Sequence, residues 1–171
     1  MTISYTITQD DYVRFNLFHM KNSPSQKRMV LFLQMLFPIM LFLLFAITKP
    51  SGTPVFFWAI VAALSAIWVF VVPRSVKRST RRQVLRLLRE GRGNGITGDY
   101  TLALQDAHII ETGEFRRTEI PYSGIERVVH DDACLYIYIG SIVAIIVPFS
   151  AFKDESEKQL FLERIQEKTK I

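Results

Sequence analysis

Two stretches without a single charged residue constrain this chain more than anything else in it. Residues 29–47, MVLFLQMLFPIMLFLLFAI, run for nineteen residues, and residues 55–72, VFFWAIVAALSAIWVFVV, run for eighteen. As helices they would reach about 27–28 Å, close to the ~30 Å hydrocarbon core of a bilayer. In a chain of 171 residues, too little sequence remains to cover both as the interior of a soluble fold. A cleaved signal peptide fits the first run poorly, because its polar lead is long, no A-x-A site follows, and a second run comes at once. The expected structure over residues 29–72 is therefore a two-helix transmembrane hairpin, turned by TKPSGTP at residues 48–54. So short a turn of Pro, Gly and Ser makes the two helices antiparallel neighbours.

The distribution of charge orients that hairpin. The formal net charge is +5, but it is not spread evenly. Lys21, Lys27 and Arg28 precede the first run, Lys49 alone lies in the turn, and the second run is followed by PRSVKRSTRRQVLRLLREGRG. That segment carries Arg74, Lys77, Arg78, Arg81, Arg82, Arg86, Arg89 and Arg92 against the single acid Glu90. By the positive-inside rule both termini are expected to be cytoplasmic. Trp58 and Trp68 stand near opposite ends of the second run, where interfacial rings are expected. Within the first run, Pro38 removes the amide that would bond the residue 34 carbonyl and is expected to kink the helix. Gln34 is expected to bond that freed carbonyl or the partner helix. Two helices with no ionisable group inside them make a poor ion path.

Three readings compete for the basic segment: a nucleic-acid arm, a helix on an anionic membrane surface, or a topological anchor. Nucleic-acid recognition needs stacking or base-reading groups beside the charge, and residues 74–92 contain no aromatic residue. The segment also starts directly behind an uncharged run. The anchor and membrane-surface readings remain, and they are compatible. A helical stripe of Val76, Thr80, Val84, Leu87 and Leu88 would face the rest of the protein or the headgroups, with the cations elsewhere around the helix.

Residues 93–171 reverse the charge, with eight basic residues against thirteen acidic ones. Here the hydrophobic period changes to two. Candidate strands are residues 98–104, 108–112, 116–120, 125–129, 134–140 and 142–147, separated by Gly and Asp turns, which describes an antiparallel meander. The last two are the richest in β-branched and aromatic residues and are expected to form the central, best-buried pair. The chain then reads as a helix with Asp154, Glu155 and Glu157 at its start and Lys168 and Lys170 near its end, the order that a helix dipole favours. Phe152, Leu160, Phe161 and Ile165 form its apolar stripe. At the other end of the chain, residues 3–7 alternate like a strand, and Thr8 caps a helix offering Tyr12, Phe15, Leu17 and Phe18 for packing. The N-terminal strand is expected to join the C-terminal sheet, because alone it would leave an unpaired edge.

The organisation is thus residues 1–28, an N-terminal strand and helix; residues 29–72, the hairpin; residues 73–95, a basic juxtamembrane helix and linker; and residues 96–171, an α+β domain. Four motifs resemble the YcxB-like family of bacterial membrane proteins: Tyr5, Thr6, Thr8, Asp11 and Tyr12 before two spans; Ile120, Tyr122, Ser123 and Ile125; YIYI at residues 136–139; and Ile146, Val147, Pro148, Ala151 and Phe152. That resemblance implies a bacterial inner-membrane location and a C-terminal domain similar to pleckstrin-homology-like modules, a PH-like antiparallel sheet of about seven strands with a C-terminal helix. It brings no catalytic residue with it.

No catalytic, cofactor-binding or metal site is expected from the residues themselves. The three histidines, His19, His108 and His130, have no ligand spacing. Ser123 lacks the glycines of a nucleophile elbow, GRGNG lacks the phosphate-binding pattern, and the single cysteine, Cys134, reads as a small buried hydrophobe. The expected function is non-enzymatic: a PH-like interaction domain presented at the membrane to a protein partner or a second copy, with no nucleic acid bound. One alternative is an anionic-lipid sensor acting through Arg78, Arg81, Arg82 and Arg86. Another is an accessory subunit of a membrane transporter, which rests on Gln34 and Pro38 alone. The residues expected to set topology or meet lipid headgroups are Arg74, Lys77, Arg78, Arg81, Arg82, Arg86 and Arg89.

Overall fold

A computed structural model describes residues 1–48, 54–90 and 95–169. It divides into two compact units, one built from Met1–Phe18 and Val84–Ile171 and the other from His19–Gln83.

The first unit is a β domain. Strand β1 (Thr2–Ile7) pairs antiparallel with β2 (Gly98–Leu104), which pairs with β3 (His108–Gly113), which pairs with β4 (Arg117–Pro121). Ile3 stands opposite Leu102 and Tyr5 opposite Tyr100, so the N-terminal strand does join the C-terminal sheet, and the hairpin is inserted in the sequence between these two paired strands. A separate three-stranded sheet holds β5 (Arg127–His130), β6 (Cys134–Tyr138) and β7 (Ala144–Pro148). The seven strands therefore make two antiparallel sheets, not one meander. The break comes after β4, where Pro121 leads into a 3-10 turn at Tyr122–Gly124, since proline gives the ladder no donor. The expectation that the last two strands are best buried holds, for every residue of β6 is buried and four of the five in β7 are. Only β6 is central, because β7 pairs on one side alone.

Helix α1 (Gln9–Asn22) begins at Thr8 as its sequence suggests. The Asp11 amide donates to Thr8 Oγ1 at 3.2 Å, and the Thr8 amide donates back to Asp11 Oδ2 at 2.9 Å, a reciprocal cap. Phe15 packs 5.4 Å from the Tyr136 ring and Phe18 4.8 Å from it. Val13 is buried too. The final helix, which we number α4 (Glu155–Thr169), is capped by Asp154, whose carboxylate accepts the Glu157 amide at 2.8 Å. Its inner face is Phe161 and Ile165, with Phe152 beside Phe161. Leu160, expected in that stripe, is instead exposed, because it falls about 100° from Phe161 around the helix. The other end of α4 is tied down by Lys168, whose Nζ donates to the Gln105 carbonyl at 2.8 Å; the Tyr122 hydroxyl donates to the same carbonyl at 2.9 Å. Lys170 lies outside the described residues.

The second unit is the helical pair. Helix α2 (Pro24–Thr48) continues through Pro38, and helix α3 (Val55–Arg89) continues through Pro73 and most of the basic segment. Their connection at residues 49–53, with Lys49, lies outside the described residues, as does Arg92.

Candidate functional site

The helical pair is where sequence chemistry and geometry converge. The Phe37 ring lies 5.0 Å from Trp68, and Phe45 lies 5.0 Å from Phe57 and 5.5 Å from Trp58. Among the described residues, two hydrogen bonds cross between the helices: Gln34 Nε2 donates to the Val69 carbonyl at 2.9 Å, and Trp68 Nε1 donates to the Leu33 carbonyl at 3.0 Å. In a regular helix the Val69 carbonyl would accept the amide of residue 73. Residue 73 is proline and has no amide to give. Gln34 therefore supplies the donor that Pro73 removes, which explains both a lone polar residue in an apolar run and a helix that survives its proline. The amide bonds the partner helix, one of the two outcomes its sequence context suggested.

These contacts fix an antiparallel register in which residue 33 is level with residue 68 and residue 45 with residues 57–58. The two uncharged runs consequently lie side by side at one level, with their ends nearly coincident. Their apolar side chains face outward: Phe32, Phe42 and Phe70 are each about 65 % exposed. Buried helices of a soluble core do the opposite. Both helices are long and apolar enough to cross a membrane, and an exposed apolar surface of this extent marks a membrane or partner contact.

Of the residues expected to meet headgroups or set topology, Arg74, Lys77, Arg78, Arg81, Arg82, Arg86 and Arg89 all lie on α3 and all are exposed. Arg74 Nη1 donates to the Phe70 carbonyl at 2.9 Å, folding the guanidinium back towards the apolar run. Arg82 Nε donates to the Arg78 carbonyl at 3.4 Å, and Arg86 pairs with Glu90 at 2.6 Å. The stripe expected opposite them is present in Val76, Thr80, Val84 and Leu88, all at least half-buried, whereas Leu87 is exposed. The Thr80 hydroxyl bonds Met20 Sδ at 3.4 Å, which brings the end of α1 beside this part of α3.

The β domain holds two buried polar groupings, neither evident from the sequence reading. Glu111 is 3 % exposed and pairs with Arg116, across the β3–β4 turn, at 3.1 Å. Burial is the main influence on its carboxyl and pushes its pKa up, against the pull of Arg116. The Tyr5 hydroxyl is buried beside it with no hydrogen bond of good geometry, and burial followed by the Glu111 charge pushes that hydroxyl far up. The signal for Glu111 was its place in the alternation, two residues after Ile109 on the inward face. In the second grouping, Asp131 accepts the amides of Ala133 and Cys134 and the Tyr136 hydroxyl at 2.8–2.9 Å. Burial alone would raise its pKa, but those three hydrogen bonds outweigh it and hold the carboxyl below its usual range. Cys134 is fully buried, its thiol donating to Asp11 Oδ1 at 3.7 Å. Burial, with Asp11 and Asp131 nearby, pushes its pKa up to about 12. A thiol so buried and so weakly acidic is a poor nucleophile.

The histidines sit on three different elements: His19 in α1, His108 at the start of β3 and His130 at the end of β5. Among the described residues, no group of three or more His, Cys, Asp or Glu side chains is placed to hold a metal ion. Ser123 is exposed within the 3-10 turn.

Neither the curated proteins nor the solved structures contain a match to this chain. A family match does exist, and it covers part of the β domain, from the end of β2 into α4, including three of the four motifs; the N-terminal motif and the hairpin lie outside it. Over residues 104–163 the chain matches the model of the YcxB-like protein family, the family that its motifs resemble.

Proposed function

We propose that this is a non-enzymatic membrane protein that presents its β domain, a PH-like interaction module, at the cytoplasmic face of a bacterial inner membrane. The observation that carries this reading is the register of the hairpin. It aligns two exposed apolar runs at one level and gathers the flanking cations at one end, the end where α2 begins and α3 continues. Both connections to the β domain leave from that end. By the positive-inside rule that end is cytoplasmic, so the domain and both termini are cytoplasmic as well. Seven strands closed by a C-terminal helix support the PH-like reading, and the family match supports the placement among membrane proteins of this type.

Residues 93–171 carry thirteen acidic against eight basic residues in a chain that is net basic, and the buried Glu111 carboxylate and Cys134 thiol are engaged in internal contacts that suit a binding module better than a reactive site. Its occupant is a protein partner or a second copy. Gln34, one of the two residues on which the transporter-subunit reading rests, donates to the Val69 carbonyl, a structural use that calls for no transport role. Crosslinking of the full chain in native membranes tests the proposal. A discrete adduct with another protein or with itself is expected; a chain that crosslinks to neither contradicts the interaction role.

A further inference from the structure

The unit formed by residues 19–83 contains no Asp or Glu, against nine Lys and Arg residues. No carboxylate within it balances that charge. The helix register also assigns the cations a common level. With Leu33 beside Trp68, Arg28 stands level with residues 73–74, Lys27 with residues 74–75, and the start of α2 with Lys77 and Arg78. Along α3, Arg74 to Arg78 spans about 6 Å of rise. One headgroup layer is roughly 5–7 Å deep, so five cations from two helices fit within it, directly beyond the apolar runs. All five side chains are exposed, and the bond from Arg74 to the Phe70 carbonyl holds its guanidinium at the boundary itself.

We propose that Lys27, Arg28, Arg74, Lys77 and Arg78 form a two-helix collar that binds the phosphate groups of anionic phospholipids. This rests on the reading of the hairpin as transmembrane and differs from a sensor spread along the basic segment. Arg81 and Arg82 lie about 10–12 Å of helical rise beyond Arg74, outside a headgroup layer roughly 5–7 Å deep that begins there. Arg86, later still, already pairs with Glu90. The collar recruits Lys27 and Arg28, which precede the first span and belong to no basic run. Charge near the surface favours anionic lipid by about fivefold per cation.

The test reconstitutes the full chain into vesicles of phosphatidylcholine mixed with phosphatidylglycerol and counts the lipids retained on gentle extraction by mass spectrometry. The wild-type chain is expected to enrich phosphatidylglycerol, less so as salt rises. Lys27→Gln/Arg28→Gln/Arg74→Gln is expected to lower that enrichment at least ~tenfold, while Arg86→Gln/Arg89→Gln leaves it unchanged. A chain that stays embedded against alkaline carbonate yet shows no enrichment overturns the collar alone. Equal losses from the two sets of variants also overturn it, in favour of a diffuse basic surface. A chain that carbonate strips from the vesicles overturns the transmembrane reading and the collar with it.

Discussion

The two units solve the same problem with opposite arrangements. In the β domain, Leu102, Ile109, Ile137 and Phe161 are fully buried, and Glu111, buried on β3, is paired with Arg116. In the hairpin, phenylalanine and leucine point outward, and among the described residues two side chains, Gln34 and Trp68, donate across to backbone carbonyls of the other helix. The residue types are similar and the placement is reversed. On the proposed reading, the two units are built for different solvents. Water forces apolar groups inward, whereas hydrocarbon tolerates them outside and requires every backbone group to find an internal partner.

The contrast can be broken first by deleting aromatic volume. Phe161→Ala leaves a cavity in the β domain and is expected to cost about 3–5 kcal/mol, whereas Phe42→Ala on the hairpin is expected to cost less than ~1 kcal/mol. Chemical unfolding of the full chain in detergent, followed by hydrogen exchange in each unit, reads both values. Comparable losses would contradict the difference in solvent.

Overpacking comes next. A Cβ at Gly113 would stand 2.6 Å from Tyr100 Cε1. Gly113→Ala is expected to cost about 1–3 kcal/mol, seen as faster exchange of β2 and β3 amides, and Gly113→Ala with Tyr100→Leu should recover part of it.

The proline-glutamine device gives a smaller effect of a more diagnostic kind. Gln34→Leu is expected to weaken the helix pair by about 1 kcal/mol. In a Pro73→Ala background the cost should fall below ~0.5 kcal/mol, since an amide restored at position 73 bonds the Val69 carbonyl. Equal costs in the two backgrounds would show that Gln34 does something other than replace that amide.

The smallest expected effect is one of pH. Burial raises the Glu111 pKa above its ordinary value of 4.5 despite Arg116, so the folded form holds this proton more tightly than the unfolded one. The stability linked to it is complete below about pH 4.5 and is lost as pH rises through the higher folded value. Hydrogen exchange of β3 amides is expected to show this decline over that window in the wild-type chain and a flatter profile in Glu111→Gln.

Local periodicity carried much of this fold. β2 matches its alternating segment residue for residue, Thr8 caps α1, and the two apolar runs are helices. Pairing between sheets was not legible, because alternation says which side of a strand is buried and nothing about its neighbour. A single proline at 121 followed by a 3-10 turn sufficed to divide the strands four and three. The continuity of α3 was hidden for a related reason, since the donor that lets it pass Pro73 comes from Gln34, 35 residues before the Val69 carbonyl that it bonds. For the candidate site, the cations of the basic run were legible as charge. The alignment of Arg74 with Lys27 and Arg28 was not, because it depends on a helix register that only the paired rings and hydrogen bonds define.

The central claim is that both helices cross the bilayer together, with the cationic end in the cytoplasm. Single cysteines placed at Lys27, Ser51 and Ser75 in a Cys134→Ala background test it most directly, using a membrane-impermeant thiol reagent on intact cells. Labelling at position 51 alone is expected, with positions 27 and 75 reacting only after the membrane is opened. Labelling of 27 and 75 from outside, or equal labelling of all three, would contradict the account.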